Sequence, residues 1–164
     1  GSGTFRGCVG EAAPGLELSL FDLPGVIELA RQRVANQELP PRISLHGGSF
    51  HSDPFPGVHD VISLVRIVHD HDDQPAQHLL ARAFDALQPG GTLIVAEPML
   101  SKKDDGGILG NYFRFYLMAM GSGRPRSPRE LKQMLKSAGF KSIKRHRTTV
   151  PMICSVISAE RPKS

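Results

Sequence analysis

The sequence contains no tryptophan, only two tyrosines and only two cysteines among its 164 residues. Cys8 and Cys154 stand far apart, and neither belongs to a C-x-x-C pair. That excludes a disulfide framework and argues against a zinc–thiolate centre. No apolar run approaches the roughly 20 residues that a membrane-spanning helix needs. No secretory leader pattern opens the chain, and a reducing, cytoplasmic setting is the expectation. Lys and Arg never gather into a run, and aromatics are not interleaved with them as a stacking platform for single strands would require. We expect no nucleic-acid partner.

Apolar residues make up 40% of the chain and charged residues 22%, both ordinary for a globular protein. The length suffices for one domain, residues 1–164, with a real core. The net charge of +4 conceals an asymmetry. Residues 1–100 hold 6 Lys/Arg and 12 Asp/Glu, a balance of −6, whereas residues 101–164 hold 14 and 4, a balance of +10. A basic half of this kind can face an anionic membrane surface. Solvated helix faces and a protected sheet edge are the plainer explanation, and both stay open.

Short apolar runs alternate with amphipathic stretches. "LELSLFDLP" (16–24), "RISLHGGSF" (42–50), "DVISLVRIV" (60–68) and "TLIVAEPM" (92–99) read as strands. The third is almost wholly apolar, as a strand buried on both faces would be. "GVIELARQRVA" (25–35) has helical spacing, with Ile27, Ala30 and Val34 on one face. A second helix spans 74–91, capped by Asp72 or Asp73 and ended by Pro89-Gly90-Gly91. "ILGNYFRFYLMAM" (108–120) reads as a helix rich in aromatics and methionine. "SPRELKQMLKSAG" (127–139) carries the signals of a capped helix: Ser127 at the cap, Pro128 in the first turn, Glu130 completing S-x-x-E, and Gly139 at the end. "SIKRHRTT" and "MICSVISAE" close the chain as strands too near in sequence for a parallel crossover, so they should be antiparallel.

Such alternation predicts a doubly wound, mostly parallel α/β sheet with an antiparallel C-terminal strand. Sheets of this type hold ligands beyond the carboxyl ends of their strands. Asp22, Gly47 to Phe50, His69 to Asp73 and Glu97 all fall at or just past predicted strand ends.

The opening "GSGTFRG" places glycines where a backbone can approach a ligand. A dinucleotide fold would want G-x-G-x-x-G, and Gly7 arrives one residue late, which disfavours a nicotinamide oxidoreductase. Asp22 follows Gly3 by 19 residues, near the spacing of an acid that accepts ribose hydroxyl protons. A turn-forming Asp before Pro24 is the alternative.

"RIVHDHDD" (66–73) puts two histidines and three aspartates within eight residues. The hydrolase metal motif H-x-H-x-D-H would need histidine where Gln74 stands, so a metal-dependent hydrolase is the weaker reading. His69 ends a predicted buried strand, where a neutral imidazole can accept a proton near neutral pH. Such a base needs a carboxylate to orient it, and Glu97 ends the next strand. A hydrogen-bonded structural histidine remains the alternative. Asp70 and His71 read as loop or cap residues.

"FDLPGVIE", "RIVHDHDD", "LQPGGTLIVAEPML" and "SPRELKQMLKSAGF", taken in order, resemble the S-adenosylmethionine-dependent O-methyltransferases related to plant caffeate and flavonoid enzymes and to the hydroxyindole type. "GSGTF" matches the end of that family's D-x-G-G-G-[ST]-G loop. "YLMAMGSGRPRSPRELKQMLKSAGF" with "ICSVISAERP" is most similar to its bacterial carotenoid branch, the demethylspheroidene O-methyltransferases. The resemblance covers essentially all 164 residues.

The resemblance implies a Rossmann-like class I methyltransferase domain that binds S-adenosyl-L-methionine, with the family's first strand and N-terminal dimerisation domain missing from these residues. The 164 residues alone are then expected to bind acceptor poorly, and the full-length protein to be a homodimer. Gly1 and Gly3 would lie beside the methionyl part of the cofactor, and Asp22, with Leu23, at the ribose. Gly48 and Ser49 stand where the family has Asp-Met or Asp-Phe beside the adenine. The acid is absent, and Ser49 or Phe50 is the implied substitute. Arg66 would contact cofactor. His69 would be the catalytic base and Glu97 its orienting acid. A second orienting glutamate of plant relatives would fall near Pro125, so that role is lost or moved. Tyr112, Phe113, Tyr116 and Met120 would line an apolar acceptor channel, or simply pack the core. The implied acceptor is a hydroxylated carotenoid, with peripheral contact to the intracytoplasmic membrane. Another pigment or phenol such as a bacteriochlorophyllide, and a non-catalytic cofactor-binding module, are the remaining alternatives.

Overall fold

A computed structural model describes residues 4–36, 42–100, 121–149 and 154–163. The predicted helix at 108–120 lies outside them. The chain forms two compact units, Gly1–Pro56 and Gly57–Ser164.

The first unit holds helix α1 (Thr4–Ala12), strand β1 (Leu18–Asp22), helix α2 (Pro24–Ala35) and strand β2 (Ile43–Gly47). Pro24 sits in the first turn of α2, where its missing N–H costs nothing and its fixed φ suits a helix. The predicted apolar stripe is real: Ile27 and Ala30 are buried with Leu20 and Ile43, and Val34 packs against them. With α2 as crossover, β1 and β2 pair in parallel, Leu18 opposite Ile43 through to Asp22 opposite Gly47. Both carboxyl ends therefore meet at one rim.

The second unit is a four-stranded sheet of order β3-β4-β6-β5. It comprises β3 (His59–Val65), a single 3-10 turn (Val68–Asp70), α3 (Asp73–Ala86), β4 (Leu87–Glu97), α4 (Pro128–Ser137), β5 (Lys141–His146) and β6 (Ser155–Glu160). β3 and β4 are parallel, with Val65 opposite Ala96. β6 runs antiparallel between β4 and β5, so the expected reversal of the last two strands is present. Leu79, Leu80, Leu93, Val95, Leu131 and Ile157 are among the wholly or almost wholly buried side chains. Burial of each contributes about 1.5–3 kcal/mol before entropy is counted.

Three boundaries differ from the sequence reading. Helix α3 stops at Ala86, and β4 starts directly at Leu87, so Pro89-Gly90-Gly91 belongs to the strand and does not end the helix. Leu87 is wholly buried and already extended, and the guanidinium of Arg161 donates to the carbonyls of Phe84, Asp85 and Leu87, capping the helix end. Gly90, at φ +86°, donates its N–H to Arg161 O while Arg161 N–H donates to Gly91 O. Second, β3 ends at Val65, because Arg66 takes a left-handed φ of 54°. His69 thus sits on the 3-10 turn and not on the strand itself. Third, β3 is not buried on both faces: Ile62 and Leu64 are buried, whereas Val61 is 55% exposed. The capped helix is as expected, with a complete capping box between Ser127 and Glu130.

Candidate active site

The turn after β3 is built against the end of β4. Arg66 N–H donates to Ala96 O (2.9 Å). Val68, wholly buried, anchors the turn, and Asp70 N–H closes it on Ile67 O (3.1 Å). His69 between them is only 3% exposed, and Glu97, the last residue of β4, is 0% exposed. The parallel register that sets Val65 beside Ala96 brings the two together. His69 Nδ1 lies 3.5 Å from Glu97 Oε2, and the His69 backbone N–H donates to that same oxygen at 3.2 Å.

At 3.5 Å the ring and the carboxylate face each other without an aligned hydrogen bond. His69 Nδ1 and Glu97 Oε1 are buried polar atoms with no hydrogen-bond partner among the described residues. Groups buried in this way cost stability. On the other side of the ring, Nε2 is 3.1 Å from Asp70 Oδ1, whose side chain is partly open to solvent. The imidazole is therefore bracketed by two carboxylates, one sealed and one at the surface. Nδ1 faces the sealed carboxylate and Nε2 the one at the surface. The sequence reading gave Asp70 only a loop role; its adjacency to His69 was the signal.

Asp72 precedes α3 but makes no side-chain cap; its Oδ1 accepts instead from Gly123 N–H (3.0 Å). Asp73 pairs with two arginines, which lower its pKa, first through the hydrogen bond from Arg124 and then through that from Arg126. Burial pushes the half-buried Cys154 thiol up, against the opposing field of Arg66. Among the described residues no group of three or more His, Cys, Asp or Glu is placed to hold a metal ion.

In the first unit, Asp22 is buried at the end of β1. Its Oδ1 accepts from Leu23 N–H (2.8 Å), and its carbonyl accepts from Gly48 N–H (2.9 Å). Leu23 itself is exposed. Gly48 is buried beneath the ring of Phe21, which would lie 2.5 Å from a Cβ at that position. Phe50 meets Phe21 edge-on (5.3 Å between centroids) and stacks on Phe55 (6.2 Å). The Asp53 carboxylate accepts from Ser49 N–H (2.7 Å) and would lie 3.1 Å from a Cβ at Gly48. Asp53 escaped the sequence reading, since an Asp five residues beyond the glycine has no motif to announce it. Gly1, Gly3, Tyr112, Phe113, Tyr116 and Met120 lie outside the described residues.

Residues 1–141 match the family model of the O-methyltransferase domain. The chain belongs to that family. It is 45% identical over 161 residues to demethylspheroidene O-methyltransferase of Rhodobacter capsulatus, covering 98% of this chain and 39% of the relative. The enzyme of the same name from Cereibacter sphaeroides is 43% identical over 162 residues, covering 99% and 43%. Among solved structures, human N-acetylserotonin methyltransferase in complex with S-adenosylmethionine superposes with a TM-score of 0.87 at 28% identity, covering 99% of this chain and 45% of that one. The chain thus spans about two fifths of the length of the curated relatives it matches. The α/β architecture with one reversed strand is that of the class I methyltransferases.

Proposed function

We propose that the protein carrying this chain moves a methyl group from S-adenosylmethionine to a hydroxyl of a small apolar acceptor, a hydroxylated carotenoid, with His69 as general base. The observation that carries the proposal is the buried His69–Glu97 pair at the carboxyl ends of two adjacent parallel strands in a chain of this family. S-adenosylmethionine, when bound, supplies a methyl group already activated on a sulfonium. Asp22 suits its ribose, being a carboxylate at a strand end beside a backbone turn through Gly48. For the adenine side, Asp53 offers the charge that Gly48 lacks, because its oxygen stands next to where a side chain at 48 would begin.

His69 takes the hydroxyl proton at Nε2 as the acceptor oxygen attacks. Glu97, with Oε2 3.5 Å from Nδ1, stabilises the imidazolium that forms. A tertiary or secondary alcohol is a much weaker acid than a phenol, so proton removal has to accompany bond formation. General bases of this kind contribute roughly 10²–10⁴-fold. Holding donor and acceptor in line accounts for more, about 7–11 kcal/mol. The carotenoid assignment draws on the names of the two bacterial relatives. An acceptor of that kind resides in a membrane, and the exposed Lys141, Lys144, Arg145 and Arg147 at the β5 edge suit an anionic lipid surface.

The test uses the full-length protein, labelled S-adenosylmethionine and demethylspheroidene. His69→Ala should retain S-adenosylhomocysteine binding and lose at least a hundredfold in turnover, within the range for a general base. Unchanged turnover removes the base assignment. Transfer to a phenol but not to the carotenoid would replace the acceptor while keeping the chemistry.

A further inference from the structure

Arg126 is wholly buried, at 0% exposure, and heads the described side chains in that state by size. Arginine is almost never fully buried unless paired and hydrogen-bonded. Here the compensation is specific. Nη1 donates to Val68 O (2.8 Å) and Nη2 to His71 O (2.8 Å). Nη2 and Nε both donate to Asp73 Oδ1, at 2.8 and 3.1 Å. The two carbonyls flank the dipeptide His69-Asp70, so the guanidinium fork grips the turn on either side of the imidazole. The backbone carbonyl of Arg126 accepts from Leu100 N–H (3.0 Å), three residues past Glu97. One residue therefore fastens both the turn that carries His69 and the chain leaving the strand that carries Glu97.

The residues around it press the same way. Ser122 Oγ donates to Asp70 O (3.2 Å), and Gly123 N–H to Asp72 Oδ1. Gly123 runs so close to the turn that a Cβ there would overlap His69 O. Arg124 joins Asp73 to Glu130 of the capping box. Segment 122–127 is thus a strap across the turn, and Arg126 is its buried pin.

We propose that Arg126 is a positioning residue: it sets the place of the His69 ring between Glu97 and Asp70, and so the efficiency of proton transfer. The proposal rests on the reading of His69 as base. A planar fork with five donors can span two carbonyls and a carboxylate, whereas a lysine ammonium reaches as a point. A displacement of about 1 Å at a reacting group can lower turnover on the order of 10²-fold.

The experiment compares wild type, Arg126→Lys and His69→Ala in the full-length protein. It measures kcat and KM with S-adenosylmethionine and demethylspheroidene, and follows the His69 ring nitrogens by NMR across pH. Arg126→Lys should lower kcat on the order of 10–10²-fold, leave KM for S-adenosylmethionine near wild type, and move the ring signals and the pH profile of kcat. A lower melting temperature with wild-type kcat and wild-type ring signals would make Arg126 merely structural and overturn the proposal. Should Arg126→Lys not fold, the pair Ser122→Ala with Asp73→Asn loosens the strap with Arg126 in place. It should reproduce the ring shifts and a smaller fall in kcat, and wild-type behaviour of that pair overturns the proposal equally. Full turnover in His69→Ala would sink the base reading instead, and the ring signals would still report whether Arg126 holds the imidazole.

Discussion

The backbone N–H of His69 and its ring Nδ1 address one oxygen, Glu97 Oε2, at 3.2 and 3.5 Å. The same carboxylate thereby fixes the turn and faces the imidazole. Glu97→Gln separates the two roles, because an amide oxygen can still accept from the backbone while the charge is gone. We expect the melting temperature to stay close to wild type and kcat to fall on the order of 10²-fold, within the contribution of a general base. Steady-state kinetics beside thermal denaturation checks this. A larger loss in Glu97→Ala than in Glu97→Gln is expected, because alanine also removes the acceptor of the His69 N–H.

Acid should loosen the strap. Asp73 is held below its ordinary value of 3.8, chiefly by the hydrogen bond from Arg124 and then by that from Arg126. Burial alone would raise Glu130 above its ordinary 4.5, but hydrogen bonds from Ser127 and Arg124 outweigh it and the carboxyl titrates lower. Both groups favour folding in their ionised form. That contribution is complete above the ordinary values and is lost as pH falls through the depressed folded ones. Urea midpoints measured from about pH 6 down to about pH 3 should therefore decline less steeply in Arg124→Ala than in wild type.

The strand–helix alternation, the reversed last strand and the Ser127 capping box were legible because each rests on local spacing. So was the pairing of His69 with Glu97, since parallel neighbours connected by a helix end at the same rim. The end of α3 was not, because what stops it is Arg161, 75 residues past Ala86, donating to its last carbonyls. The early end of β3 was not either: a single left-handed Arg66 inside an apolar run leaves no trace in the pattern. Arg126 was invisible for a related reason. Composition places arginine at the surface, and only the tertiary meeting of residues 68–73 with 122–127 buries it.

Gly123 is a sharper test of that meeting than a charge change. Its φ is +87°, and a Cβ would overlap His69 O and crowd the Asp70 carbonyl carbon at 2.6 Å. Both atoms are backbone, so neither can swing aside. Gly123→Ala should destabilise by about 1–3 kcal/mol from the strained conformation and the overpacking together. Turnover should fall further than the unfolded fraction explains, because the displaced backbone is that of His69 itself. Denaturant midpoints and kcat corrected for folded protein decide it; a wild-type midpoint would mean that the strap yields.

Asp53 carries the last prediction. Gly48 has no side chain to offer an adenine, and the Phe21 ring, packed against Phe50 and Phe55, occupies the space one would need. Restoring an acid there by Gly48→Asp should therefore lower stability and leave S-adenosylhomocysteine affinity no better. The Asp53 carboxylate already stands beside that position and is held by Ser49 N–H. Asp53→Asn keeps an oxygen for that bond and removes the charge. A hydrogen bond to a charged group contributes about 1.5–3 kcal/mol, so the Kd for S-adenosylhomocysteine by calorimetry should rise at least about tenfold. The urea midpoint should scarcely move, because the bond to Ser49 survives. An unchanged Kd in Asp53→Asn would return Asp53 to the role of a turn residue and leave Ser49 and the aromatic trio to meet the adenine.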